Sequence, residues 1–354
     1  MRPSKRFASF TLLLKVVCAT HAGTLMKTRL LPLLVLLATL CLNWSNATAG
    51  VTITRTNYHG WPDSYIISNG KIAAAIVPAI GRVMQLGFIG EEGLFWENHL
   101  LSGGIADAQL MVWASKDWVN FGGDKTWPSP EADWSIFTER KGWRPPPSFD
   151  GWASDVKISG RTLTLITAED PFYGTVAERR IQMHSSKPEM TITTTYRRVK
   201  GEPAVIGIWV ITQLKNPVAL FAPVPKKSVF PNGFTMLGQT APPSLKVENG
   251  LVSLARNPKG PHKIGLDADS LLWVGEKHVL RIDSPRERRG EYPDKGSSTE
   301  IYTSADPLPY IELETLGPLH RMKEGDTIKR SNVYTLSRRT KPTPEAEARA
   351  ALGR

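Results

Sequence analysis

The chain has 354 residues, with 44 Lys and Arg against 33 Asp and Glu and a formal net charge of +11. Six of the basic residues (Arg2, Lys5, Arg6, Lys15, Lys27, Arg29) and no acid fall in the first 49 positions, so the rest carries 38 basic against 33 acidic groups, which excludes a nucleic-acid footprint. Both cysteines, Cys18 and Cys41, lie in that same stretch, which removes disulfides, zinc thiolates and a cysteine nucleophile from the remainder, while 41% hydrophobic residues rule out general disorder.

Residues 1–49 read as a leader. From Met26 a short basic start is followed by an apolar run, residues 30–42, and by Ala47-Thr48-Ala49, the layout of a secretory signal peptide cleaved before Gly50. A weaker apolar patch, residues 10–17, interrupted by Lys15, precedes Met26 and leaves two readings, a start at Met26 or one long leader. The run is too short to span a bilayer, no other stretch approaches that length, and the expectation is an exported, periplasmic or extracellular protein without a membrane span.

Beyond the leader, alternating and β-branched runs recur at 51–56, 71–77, 161–167, 190–196, 205–212, 271–274, 310–315 and 328–336. Short strands between Gly, Pro, Asn and Asp clusters predict an all-β sandwich or barrel. Residues 96–152 interrupt this pattern with seven of the ten tryptophans that follow the leader (Trp96, Trp113, Trp118, Trp127, Trp134, Trp143, Trp152), and read as a long decorated loop over a sheet. Residues 50–337 are assigned to one domain and 338–354 to a polar tail, frayed or forming a short helix.

Candidate chemistry follows the chain. Arg82, after Gly81, could hold a carboxylate or sugar hydroxyls in a fork. In NFGGDKTWPSP (residues 120–130), Gly122-Gly123 allows close backbone approach to a ligand, Asp124 and Lys125 form a charged pair, and Trp127 offers a flat plate. That combination suits a pyranose, whose C–H faces are apolar and whose rim is polar. Tyr292 and Asp294 sit in the turn before the strand holding Glu300. In YIELETLGPL (residues 310–319), alternation puts Tyr310, Glu312 and Glu314 on one face, where two carboxylates about 7 Å apart raise each other's pKa when water is excluded. His184, His262 and His320 have no metal spacing, and no HExxH, GxSxG, GxxxxGK or GxGxxG motif occurs, so no metal and no cofactor is expected.

Taken together, IVPAIGRVMQL, GLFWEN, NFGGDKTWPSP, WRPPPSFDG, EYPDKGSSTEIYTS and YIELETLGPL resemble an uncharacterised secreted family related to the galactose mutarotases, or aldose 1-epimerases, over residues 57–336. The resemblance implies a supersandwich of two large antiparallel sheets with a sugar site on one of them. It also implies that Glu314, in its Leu-Glu-Thr context, is the base acting on the anomeric hydroxyl, with Leu316 departing from the expected glutamine. The acid histidine of that superfamily falls on Trp209, which cannot serve as such an acid and is instead expected to form a stacking wall facing Glu314. The expectation is thus a carbohydrate ligand in a groove lined by Arg82, Trp127, Trp209 and the Glu312/Glu314 face. Two functional readings remain open: an isomerase-like enzyme of epimerase or lyase type, and a non-catalytic carbohydrate-binding or envelope interaction module.

Overall fold

In the computed structural model, residues 50–105, 119–138 and 145–354 are described. Trp113, Trp118 and Trp143 lie outside them. The chain begins with an antiparallel meander, β1 (Thr52–Tyr58), β2 (Trp61–Ser68), β3 (Ile72–Val77) and β4 (Arg82–Phe88), which β5 (Asp124–Ser129) extends. A second meander, β6 (Ser154–Ser159), β7 (Thr162–Thr167), β8 (Thr175–Met183) and β9 (Glu189–Arg198), starts another sheet, and β10 (Ala204–Lys215) returns to the first beside β5.

From there the chain alternates between the layers. β11 (Ala219–Pro223), β13 (Lys246–Glu248), β14 (Leu251–Leu254), β16 (Ser270–Val274), β17 (His278–Asp283) and β21 (Thr327–Arg338) complete the second sheet. β12 (Thr235–Met236), β15 (His262–Leu266), β18 (Thr299–Thr303), β19 (Tyr310–Leu316) and β20 (His320–Met322) complete the first. The result is an 11-stranded sheet against a 10-stranded sheet, with every assigned strand pair antiparallel.

Each run of alternating sequence puts its apolar residues between the layers. Leu163 and Leu165, Ile192, Leu280 and Ile282, and Tyr334 and Leu336 from the second sheet meet Ile264, Ile301, Ile311, Leu313 and Leu214 from the first in one buried cluster. All eight runs expected to be strands are strands. Because side chains alternate along a strand, the residues between these apolar positions on β10, β15, β18 and β19 are forced to the opposite face of the first sheet. That face carries the candidate site.

Residues 96–152 are not simply a decorated loop. Their central part is β5, hydrogen-bonded to β10 and bridged to β4. All six β5 residues are buried, so the strand shows no alternation in polarity, and it contains Pro128, a residue that normally argues against a central strand. The C-terminal tail also has a fold of its own: Pro344–Leu352 form a helix capped by Thr343, whose hydroxyl accepts from the Ala346 N–H at 3.2 Å, and ended by Gly353 in the left-handed region. Its Ala348 is buried against Phe221, Leu251, Val274 and Val279. Among the described residues no helix is long and apolar enough to cross a membrane.

Candidate functional site

Strand register assembles the site. Trp209 on β10 is opposite Trp127 on β5 and Leu316 on β19, while Ile211 is opposite Lys125 and Glu314, and Gln213 is opposite Glu312. One strand further, Glu300 and Tyr302 on β18 pair with Glu314 and Glu312, and Lys263 on β15 pairs with Tyr302. Lys125, Trp127, Trp209, Glu312, Glu314, Glu300, Tyr302 and Lys263 therefore share one face. Above them lies a half-open cavity of about 350 Å3, lined by Trp127, Glu131, Trp209, Lys263, Tyr302, Tyr310 and Glu312.

The two glutamates of YIELETLGPL have separate environments. Glu314 is fully buried, and its Oε2 accepts a hydrogen bond from the Trp209 indole N–H at 2.8 Å and an ion pair from Lys263 at 3.1 Å. Its Oε1 has no hydrogen-bond partner among the described residues. Trp209 does face Glu314, as anticipated, but it does so edge-on through its N–H, and its ring, 5.4 Å from Trp127 and 6.0 Å from Trp134, helps to close the carboxylate off from the cavity. Glu312 is half-buried and lines the cavity, its Oε1 accepting from Gln213 Nε2 at 2.8 Å.

Charge is distributed so that protons are held near neutral pH. Burial, and then the neighbouring Glu314 carboxylate, push Glu312 up to about 7 against the pull of Lys125 and Lys263. On the other side, burial and then the nearby Arg82 lower Lys125 to about 7, its Nζ standing 3.8 Å from the centre of the Trp127 ring and 3.7 Å from Asp150. Lys263 behaves oppositely: burial works against its charge, but the flanking Glu300 at 2.7 Å and Glu314 overcome that and hold it charged, well above the usual lysine range.

Other residues singled out by sequence take different places. Arg82 is completely buried and braces the loop over the site: its Nη1 donates to the Gly122 carbonyl at 2.8 Å, its Nη2 to the Asp150 carboxylate at 3.0 Å, and its Nε to the Asp150 carbonyl at 3.1 Å. The same Asp150 oxygen accepts from Trp127 Nε1 at 3.0 Å. Asp124 points the other way, between the sheets, where it pairs with Arg179 and accepts from Thr212 and Tyr334 hydroxyls, each at 2.6 Å. The charged pair expected of Asp124 and Lys125 is thus split across the sheet, because adjacent strand residues face opposite sides.

Gly122 and Gly123, at φ 92° and 73°, do permit close backbone approach, but to the chain itself: a Cβ on Gly122 would lie 2.3 Å from the Trp96 carbonyl oxygen, and one on Gly123 2.7 Å from that of Val83. Tyr292 packs beneath Arg286 and accepts from the Glu287 N–H at 2.8 Å, and Asp294 occupies the turn before β18; neither lines the cavity. Lys263, Tyr302, Glu131 and Asp150 were not singled out by sequence. Lys263 and Tyr302 were nonetheless legible, since they alternate with Ile264 and Ile301 as Glu312 alternates with Ile311 and Leu313. Among the described residues, no group of three or more His, Cys, Asp or Glu could hold a metal.

Sequence comparison finds no matching family model and no matching curated protein. Comparison of folds does find relatives. A structure described as a putative aldose 1-epimerase from Escherichia coli K12 superposes over 82% of this chain and all of its own, with a TM-score of 0.52 and 10% identity. The chain has a galactose-mutarotase-like fold. A galactose mutarotase-like protein from Lactobacillus casei matches 77% of this chain and all of its own, at a TM-score of 0.54 and 10% identity. The anticipated supersandwich of two large antiparallel sheets is therefore the observed architecture, and at such identities the likeness is one of fold.

Proposed function

We propose that this protein is an exported carbohydrate-binding protein that moves a proton on a bound sugar, with Glu312 as the base. The observation that carries the reading is the position of Glu312: the carboxylate opens into a cavity walled by Trp127, Trp209, Tyr302 and Tyr310, and burial beside Glu314 poises it at about 7. A base is most effective when its pKa lies near the working pH. The aromatic walls offer apolar faces to a pyranose ring, and Glu131, Lys263 and Glu312 offer polar contacts to its rim.

In this scheme Glu312 takes a proton from the anomeric hydroxyl or from a ring carbon and later gives it back, while Lys263, which lines the same cavity and is held charged by its carboxylate neighbours, stabilises the negative charge that develops; Lys125, buried and outside the cavity lining, tempers the rise in the Glu312 pKa through its charge. Glu314, buried beneath Trp209, sets the charge of its neighbours. Export rests on the leader of residues 1–49. The fold neighbours described as a putative aldose 1-epimerase and a galactose mutarotase-like protein favour a sugar as the class of ligand.

One observation favours a second reading, a non-catalytic sugar-binding module. Trp209 occupies the position the resemblance gives to an acid histidine, and it shields the glutamate that the resemblance makes the base. The two readings separate on Glu312→Gln. In a binding module, affinity measured by tryptophan quenching and the NMR spectrum of the sugar both stay as they were. For the enzyme, affinity persists while exchange at the sugar's anomeric or ring position, present with the wild type, is lost.

A further inference from the structure

A second cavity, of about 640 Å3, lies beyond the Leu266 end of β15 and differs in chemistry from the tryptophan-walled one. Two loops meet there, residues 225–229 after β11 and residues 284–289 after β17. The first brings Lys227 to the basin and the second brings Arg286 and Arg288, with exposed Lys226 and Arg289 alongside in sequence. Two aspartates also line it, and each accepts hydrogen bonds from the loops. Asp267 accepts from the Ser228 hydroxyl at 2.8 Å and the Val229 N–H at 2.7 Å, and Asp269 accepts from the Arg286 N–H at 2.6 Å.

The consequence is a basin whose carboxylates fix the loops that shape it, and whose cations, Lys227, Arg286 and Arg288 in the lining with Lys226 and Arg289 beside them in sequence, outnumber Asp267, Asp269 and the exposed Glu287. Among the described ion pairs, none involves Lys226, Lys227, Arg286, Arg288 or Arg289. Arg286 is held in place by donating to the Gly296 carbonyl at 2.9 Å and by lying 4.1 Å over the Tyr292 ring, which gives Tyr292 the supporting role that the sugar site did not. The larger cavity near Trp273 presents the contrasting case, since its Lys215 and His278 are paired with Glu92 and Glu91.

We propose that this basin binds the carboxylate or phosphate groups of an anionic polysaccharide. Guanidinium groups match such oxyanions in paired hydrogen bonds, and a concave wall focuses their field. Concavity favours a polymer strand over a membrane surface, which a flat or protruding basic face would suit better. The glycan nature of the ligand rests on the carbohydrate reading given above; the affinity for an oxyanion rests on the basin alone.

The test is isothermal titration calorimetry of the full chain with a hexameric oligogalacturonate, with uncharged cellohexaose, and with phosphatidylglycerol vesicles. Oligogalacturonate is expected to bind, more weakly as salt rises, and Lys227→Glu with Arg288→Glu to weaken it by about tenfold or more. Lys157→Glu with Lys246→Glu, an equal change of charge at exposed sites outside the basin, is expected to leave affinity unchanged. Equal losses in both pairs, no binding of oligogalacturonate, or binding of vesicles alone would overturn the proposal. Loss in Glu312→Gln with full affinity in the basin pair would also overturn it by placing the anionic chain in the tryptophan-walled cavity. Quenching by neutral sugars, read separately, decides the carbohydrate pocket without touching this result.

Discussion

Asp124→Asn isolates what lies behind the candidate site from what lies in it. Asp124 is fully buried between the sheets, paired with Arg179 and holding the Thr212 and Tyr334 hydroxyls. Asparagine keeps the shape and one acceptor but removes the charge, leaving the Arg179 guanidinium, 3% exposed, without its counter-ion. Removing one partner of a buried ion pair costs about 3–5 kcal/mol. With an unfolding entropy of about 2.1 cal/mol/K per residue over about 300 residues, or roughly 0.6 kcal/mol/K, the melting temperature falls by roughly 5–8 °C. Differential scanning calorimetry measures this, and tryptophan quenching by whichever sugar binds is expected to be unchanged, because Asp124 faces away from the cavity. A variant that melts within about 1 °C of the wild type yet no longer binds sugar would refute the assignment of Asp124 to the layer between the sheets.

Three further outcomes follow from the same geometry. Trp209→Phe removes the indole donor to Glu314 and is expected to cost about 1.5–3 kcal/mol in urea unfolding, the range for a hydrogen bond to a charged group; no loss would mean the N–H to carboxylate contact is not made. Because the folded-state pKa of Glu312 is raised to about 7, the stability it contributes is full below its ordinary value near 4.5 and declines as pH rises to about 7. Glu312→Gln escapes that decline, so relative to the wild type it should gain stability on going from pH 4 to pH 8, and an unchanged difference across that span would contradict the shift. Gly122→Ala places a Cβ 2.3 Å from the Trp96 carbonyl oxygen at a φ of 92°, and is expected to reduce the yield of folded protein or lower its melting temperature by several degrees.

The parts of the fold that were legible in the sequence are those where one face of a strand is apolar and the other is not. Ile311 and Leu313 alternating with Tyr310, Glu312 and Glu314 were sufficient to predict a strand, its buried face and its chemical face. β5 was hidden because every residue from Asp124 to Ser129 is buried on both sides, and because Lys125, Asp124 and Pro128 are poor signals for a central strand. As a loop this segment would make Asp124 and Lys125 neighbours in one site, whereas a strand sends them to opposite faces. Registers between distant strands were not legible at all: that Lys263 would lie between Glu300 and Glu314, or that Asp150 would gather Arg82, Trp127 and Lys125, depends on pairings that local sequence does not encode. The resemblance singles out the strand that carries Glu312 and Glu314, and the burial of Glu314 beside Trp209 leaves Glu312 as the carboxylate that lines the cavity.

One NMR experiment separates Glu312 from Glu314: anomeric exchange and hydrogen–deuterium exchange on a panel of neutral sugars are followed with the wild-type chain, with Glu312→Gln and with Glu314→Gln. One sugar is expected to exchange in the presence of the wild type, and the Glu312→Gln variant to bind this sugar still while exchange falls by about 10²-fold or more, the contribution expected of a positioned general base. Exchange that persists in Glu312→Gln and disappears in Glu314→Gln would contradict the central claim, because the working carboxylate would then be the one beneath Trp209.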